Sequence, residues 1–305
     1  MSMPWPIPWR DRHGRFLPLK ATVLAAAFVP GLVYAFWWAT DDLGPRSLNE
    51  LIHGAGLWTV RSLLIALAIT PFARMLNWPK LLTVRRMAGL TALAYGTIHL
   101  ALYVTDQKFN LGVVVSEIVS RFYLTIGFIA LLGLAALGVT STNTAIQRMG
   151  RWWKRLHRLA YPIGILALLH YFIQVKANVS EPVFVAGLYL WLMTWRALPE
   201  AWRRPVAIYP ALAVIIAAAT AGVEFAWYGI ATRINPWRVL AANESIAYGL
   251  RPAHWALVAG LAAALIIAAR RFMVNRRGGM NRSGDGRVSG YRSSGPIPAR
   301  TGYGS

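Results

Sequence analysis

Long apolar runs alternate with short, Arg-rich polar stretches from one end of the chain to the other. A run of roughly 20 apolar residues in a helix is enough to cross the hydrocarbon of a bilayer. Eight runs approach that length, at residues 19–39, 53–72, 87–105, 123–139, 156–175, 182–198, 206–230 and 252–269. The pattern predicts an all-α integral membrane protein, a multi-pass helical bundle with short loops. Residues 1–18 form a basic flank, 19–204 a core of six spans, and 205–270 two additional spans. The tail, 271–305, is rich in Arg, Gly and Ser and is expected to be disordered. The first apolar run is long and has no small-residue cleavage site behind it, so it is expected to remain as a membrane anchor.

Composition agrees with this class and narrows the chemistry. Hydrophobic residues make up 56% of the 305 positions and charged ones only 14%, with a mean hydropathy of +0.44, well above that of a soluble domain. There is no cysteine, which excludes disulfides, iron–sulfur clusters, thiolate-ligated haem and covalent haem attachment within the chain. Bound iron must use histidine or methionine.

The net charge of +21 reports topology and gives no reason to expect nucleic acid. With eight spans and a cytoplasmic amino terminus, roughly three quarters of the 32 Lys and Arg residues fall on the cytoplasmic side, while most acidic residues fall outside. Both termini are therefore expected in the cytoplasm, and the lipid bilayer is the first partner.

One stretch concentrates the candidate chemistry. A basic, tryptophan-rich collar at 148–155 leads into a span that carries His157 and His170, and His99 lies in the third span. His99 and His170 each sit about 20 Å beyond the basic collar, counted at 1.5 Å per residue, so they share one depth toward the outer side. A low-spin b-type haem takes one imidazole on each face of its ring, from different helices, and this pair meets that need. The plainer alternative is two helix-packing histidines.

His157 lies 13 residues before His170, a rotation of roughly 220° on an ideal helix, and only a kink at Pro162 would bring the two to one face. Its counterpart in depth on the third span is Arg85, which cannot ligate. One haem is the expected count, and two only if His157 finds another partner; a quinone or flavin contact is a further role for it.

Arg61, inside the second span, is level with His99 and needs a counter-charge, for which a haem propionate and an arginine reaching to the interface are the two readings. His53 reads as interfacial. His13, His254 and Glu224 have no matching partner.

The runs His53-Gly-Ala-Gly-Leu-Trp, Ile69-Thr-Pro-Phe-Ala-Arg, Arg85-Arg-Met-Ala-Gly-Leu, Thr97-Ile-His-Leu, Leu137-Gly-Val-Thr-Ser-Thr, Trp153-Lys-Arg-Leu-His-Arg-Leu-Ala-Tyr and His170-Tyr-Phe-Ile-Gln-Val-Lys occur in this order. Together they resemble the MsrQ family, the haem-binding membrane subunits of methionine-sulfoxide reductase systems within the ferric-reductase-like transmembrane group. The resemblance covers 18–204. It implies a b-type cytochrome of the bacterial inner membrane that takes electrons from the quinone pool or a cytoplasmic flavin reductase. It would pass them to a periplasmic molybdopterin subunit of the MsrP type, in support of repair of oxidised methionine. The family's haem-linked histidines fall on His99, His157 and His170, and FMN is implied by the resemblance alone.

Two departures stand out: the two additional spans, and the lack of a cytoplasmic flavin and nicotinamide domain. The chain itself is expected to perform no bond chemistry beyond electron transfer. A ferric reductase subunit is the alternative within the same redox class. A small-solute transporter is a further one, and it predicts an inverted repeat that the sequence does not display.

Overall fold

A computed structural model describes residues 9–10, 14–175, 178–246 and 249–285; His13 and the tail segment 286–305 lie outside them. The described chain is helical throughout. In order the helices are α1 (Pro18–Ala39), α2 (Ser47–Met75), α3 (Arg85–Asp106), α4 (Leu111–Ser120), α5 (Phe122–Val139), α6 (Asn143–Met149), α7 (Arg151–His157), α8 (Ala160–Val175), α9 (Ser180–Ala197), α10 (Glu200–Arg203), α11 (Ile208–Ala231), α12 (Pro236–Ala242) and α13 (Pro252–Asp285). The last of these carries the helix past residue 270, where a disordered tail was expected to begin.

Among the described residues, seven helical stretches are long and apolar enough to cross a membrane: Pro18–Ala39, Gly44–Met75, Pro79–Asp106, Phe122–Val139, Arg151–Val175, Ile208–Ala231 and Pro252–Val274. This is a multi-pass membrane protein. The sixth expected span, 182–198, corresponds to α9, which is not among the seven. It carries Glu181, Tyr189, Trp191, Trp195 and Arg196, and these fit protein surroundings better than lipid. Val183, Trp191, Leu192 and Trp195 are all buried, because α2, α8, α11 and α13 pack around this helix. Apolar content reads lipid exposure, and a helix at the centre of a bundle has little of it.

Packing follows from chain order. α2 packs along α3, α5 along α8, and α11 along α13, so long helices that follow one another along the chain are neighbours in the bundle. α1 lies at the periphery and buries only Pro30. Proline cannot continue the helix ladder, and here the Tyr95 hydroxyl of α3 enters the gap, donating to the Ala27 carbonyl at 2.8 Å and accepting from the Gly31 N–H at 3.0 Å. A hydroxyl inserted into the ladder in this way re-satisfies backbone groups that hydrocarbon would leave unpaired.

One departure from the expected spans has a local cause. The run at 156–175 was expected as one span, with Pro162 as the candidate position for a kink. The break instead falls at Arg158 and Leu159, and Pro162 sits in the first turn of α8, where its missing N–H costs no helical bond.

The C-terminal pair is closed by a buried cluster. Glu224 of α11 is 1% exposed and accepts from Arg251 at 2.6 Å and from Asn243 at 2.8 Å. Removing one partner of such a pair costs about 3–5 kcal/mol, so Glu224, which had no assigned partner in the sequence, ties the α11–α13 connection to the bundle.

Candidate cofactor site

His99 stands on α3 and His170 on α8, and their rings face each other across a cavity of ≈ 180 Å³. Ring centroids are 6.3 Å apart with planes at 83°. Two imidazoles that ligate one metal ion from opposite sides, at about 2 Å per bond, place their centroids roughly 6 Å apart. The separation found is therefore the one that a shared metal requires.

Each histidine is held in the same way. His99 Nδ1 bonds the Ile52 carbonyl of α2 at 2.8 Å, and His170 Nδ1 bonds the Tyr123 carbonyl of α5 at 2.8 Å. A carbonyl can only accept, so Nδ1 carries the proton in both rings and each Nε2 keeps its lone pair. This is the tautomer and the backbone anchor that metal-bound histidines use.

The approach of ring to helix depends on glycine. A Cβ at Gly56 would stand 3.0 Å from His99 Nδ1, and one at Gly127 would stand 2.7 Å from His170 Nδ1. Gly56 follows Ile52 by one turn of α2, and Gly127 follows Tyr123 by one turn of α5. Exactly 47 residues separate each histidine from its carbonyl, so the α2–α3 hairpin and the α5–α8 hairpin present the same cradle at the same register.

The walls grade from apolar to polar. Leu131 and Leu134, one and two turns past Gly127 on α5, line the side toward the basic collar, while Tyr103, Tyr123 and Gln174, near the outer ends of α3, α5 and α8, line the other side with His53 and Tyr171. A porphyrin has an apolar body and two carboxylates on one edge, and a cavity polarised in this sense suits it. Among the described residues no group of three or more His, Asp or Glu could hold a bare metal ion, so the donor set favours a metal that brings its own equatorial ligands.

His157 does not line the cavity. Its ring stacks on Trp153 at 3.9 Å, Nδ1 faces the Trp153 carbonyl at 3.1 Å, and Nε2 faces Ser141 Oγ at 3.3 Å. Arg61 does not line it either. Its guanidinium is paired with Glu181 and lies 5.1 Å over the Trp58 ring, so a carboxylate of α9 supplies it with a counter-charge. His53, read as interfacial, lines the mouth. Sequence reasoning missed Ile52, Tyr123, Gly56 and Gly127. The equal spacing of the two Gly–His pairs was the available signal.

Residues 55–168 match the family model described as ferric reductase like transmembrane component, which defines the class: a membrane bundle of the ferric-reductase-like kind. The chain is also 43% identical over 192 residues to the protein-methionine-sulfoxide reductase heme-binding subunit MsrQ of Xanthomonas oryzae pv. oryzae, covering 61% of this chain and 86% of that relative. To the protein of the same name from Rhodospirillum rubrum it is 39% identical over 197 residues, covering 64% of this chain and 92% of that relative. The chain belongs to the MsrQ family. No solved structure matches it.

Proposed function

We propose that this chain is a b-type cytochrome subunit of a methionine-sulfoxide reductase system, with one haem b held between His99 and His170. The relatives are named heme-binding subunits, and the observation that carries the reading is the pair of facing, identically anchored imidazoles 6.3 Å apart. The site lies in the bacterial inner membrane, with the basic end of the bundle and both termini on the cytoplasmic side; the excess of Lys and Arg at that end supports this orientation.

When bound, haem b supplies a one-electron iron couple whose potential follows its axial ligands and the polarity around them. The chain supplies the rest. His99 and His170 offer their Nε2 atoms, while the carbonyls of Ile52 and Tyr123 fix ring tilt and raise ligand basicity. Leu131 and Leu134 help to keep water from the side toward the basic collar, and Tyr103, Tyr171 and Gln174 receive the polar edge. Electrons come from the quinone pool or a cytoplasmic flavin reductase and leave, one at a time, to a periplasmic MsrP-type molybdopterin subunit. That partner reduces methionine sulfoxide with two electrons and two protons. FMN, which the resemblance implies, has no residue assigned to it here.

The test is the reduced-minus-oxidised absorption spectrum of the purified protein. A b-type signal that is absent from the wild type, or that survives in both His99→Ala and His170→Ala, refutes the reading. The family description also favours a second reading, delivery of electrons to ferric iron. Reduced protein that is oxidised by ferric chelates and not by an MsrP-type partner would select it.

A further inference from the structure

Arg61 and Glu181 meet beside the cavity of His99 and His170 without lining it. Arg61 stands on α2, one residue past Val60, which does line it, and Glu181 stands in the first turn of α9. The guanidinium donates to the carboxylate and covers the Trp58 ring. Tyr171 of α8 connects the pair to the cavity. It forms part of the wall, and its hydroxyl interacts with Glu181 and lies in the field of Arg61. Tyr34 of α1 lies in the field of the same two charges and of Glu50, and its ring closes on Gly54 of α2, leaving no room for a Cβ there. Four helices, α1, α2, α8 and α9, thus converge on one ion pair.

Stability gives little reason for this arrangement. An arginine within a span is costly to insert, and the two side chains are each 39% exposed, a state in which an ion pair contributes little. What the pair does supply is balanced charge at the edge of an apolar cavity. One-electron reduction adds one negative charge to the occupant of that cavity, and in surroundings of low dielectric an uncompensated charge nearby changes the energy of that step through space. Arg61 alone favours it and Glu181 alone opposes it. Bonded to each other they nearly cancel, and a dipole remains. Glu181 acts on Tyr171 more strongly than Arg61 does, so the negative end of that dipole is the one nearer the wall. The N-terminal end of α9 is a second positive neighbour of the carboxylate and fixes it in this place.

We propose that Arg61 and Glu181 are positioning residues for electron transfer, acting through Tyr171: the pair holds the charge beside the cavity near zero and keeps the site at a lower reduction potential than an unpaired Arg61 would set. This inference rests on the haem reading above.

The test is a redox titration of the full-length protein in nanodiscs of phosphatidylethanolamine and phosphatidylglycerol, with haem content measured by absorbance in every variant. Glu181→Gln leaves Arg61 unbalanced and should raise the midpoint potential. Arg61→Gln leaves Glu181 unbalanced and should lower it. The double variant removes both charges and should lie between the two. A merely structural pair would shift both single variants in one direction, and that result overturns the proposal, as does a wild-type potential in both at wild-type haem content. The charge swap, Arg61→Glu with Glu181→Arg, keeps an ion pair for folding and reverses its dipole, so it should raise the potential above that of the wild type. A wild-type potential in the swapped protein overturns the proposal even where the single variants fail to fold. Absence of a b-type signal from the wild type refutes the haem reading and this inference with it, whereas a full signal with an unmoved potential refutes this inference alone.

Discussion

His99 and His170 occupy matching environments, and His157 occupies a different one. The first two each rest on a glycine of the neighbouring hairpin helix and each donate to a carbonyl one turn before that glycine. His157 stacks on a tryptophan of its own helix and faces Ser141. The step in sequence from His99 to His170 is also the step from Ile52 to Tyr123 and from Gly56 to Gly127. Applied to His157, it leads back to Arg86, whose guanidinium donates to Asn143 at 2.9 Å. The two hairpins thus repeat a complete cradle at one level and a broken one at the other. A histidine in a membrane helix marks a candidate; an anchored Nδ1 and a facing partner define a ligand pair.

The comparison breaks most sharply if either matched histidine is dispensable. His99→Ala and His170→Ala should each abolish the b-type spectrum, because one remaining imidazole gives no six-coordinate low-spin iron. A wild-type spectrum in either variant would mean that the facing geometry is incidental. Next in size is Gly127→Ala. A Cβ 2.7 Å from His170 Nδ1 forces the ring to tilt and breaks its bond to Tyr123, and loss of such an anchor lowers metal affinity about tenfold or more. Haem-to-protein ratio on purified protein reads this directly.

Much of the arrangement was legible before the structure, and what was not has identifiable causes. Apolar length located most of the spans, and counting residues from the basic collar brought His99 and His170 to one depth, because helix rise is regular. α9 was read as an ordinary span from its apolar residues, because the helices that surround it, α2, α8, α11 and α13, are set by tertiary packing that the sequence does not display. Arg61 was level with the cavity, but its partner, Glu181, is 120 residues away, and depth says nothing about azimuth. Gly56 and Gly127 escaped notice because glycine is common in membrane helices, and only a second observation, the equal step to the two histidines, separates these two from the rest.

The two cradles are alike without being identical, which yields a smaller effect. At Gly56 the added Cβ would meet His99 Nδ1 at 3.0 Å, against 2.7 Å at Gly127. A displacement of a few tenths of an ångström relieves the first contact, so Gly56→Ala should retain most of the haem. It should instead shift the midpoint potential in a redox titration, through a changed His99 tilt. Equal haem loss in the two alanine variants would show that the difference in clearance has no consequence.

His157→Ala should have the smallest effect on the haem, and it decides the count. The ring lines no part of the cavity, and its neighbours are Trp153 and Ser141. Its loss removes one stacking contact, worth about 0.5–1.5 kcal/mol, and leaves Nε2 of His99 and His170 where they were. The purified variant should carry the wild-type haem-to-protein ratio and an unchanged spectrum, with at most a lower unfolding temperature. If half of the haem is lost instead, His157 ligates a second iron despite its stacked position, and the inference from register fails at Arg86. A variant that carries Arg86→His in the wild-type background sharpens the point: by register alone it completes the second pair. A second haem appearing there, and only while His157 is present, would show that the inner cradle lacks a ligand and little else.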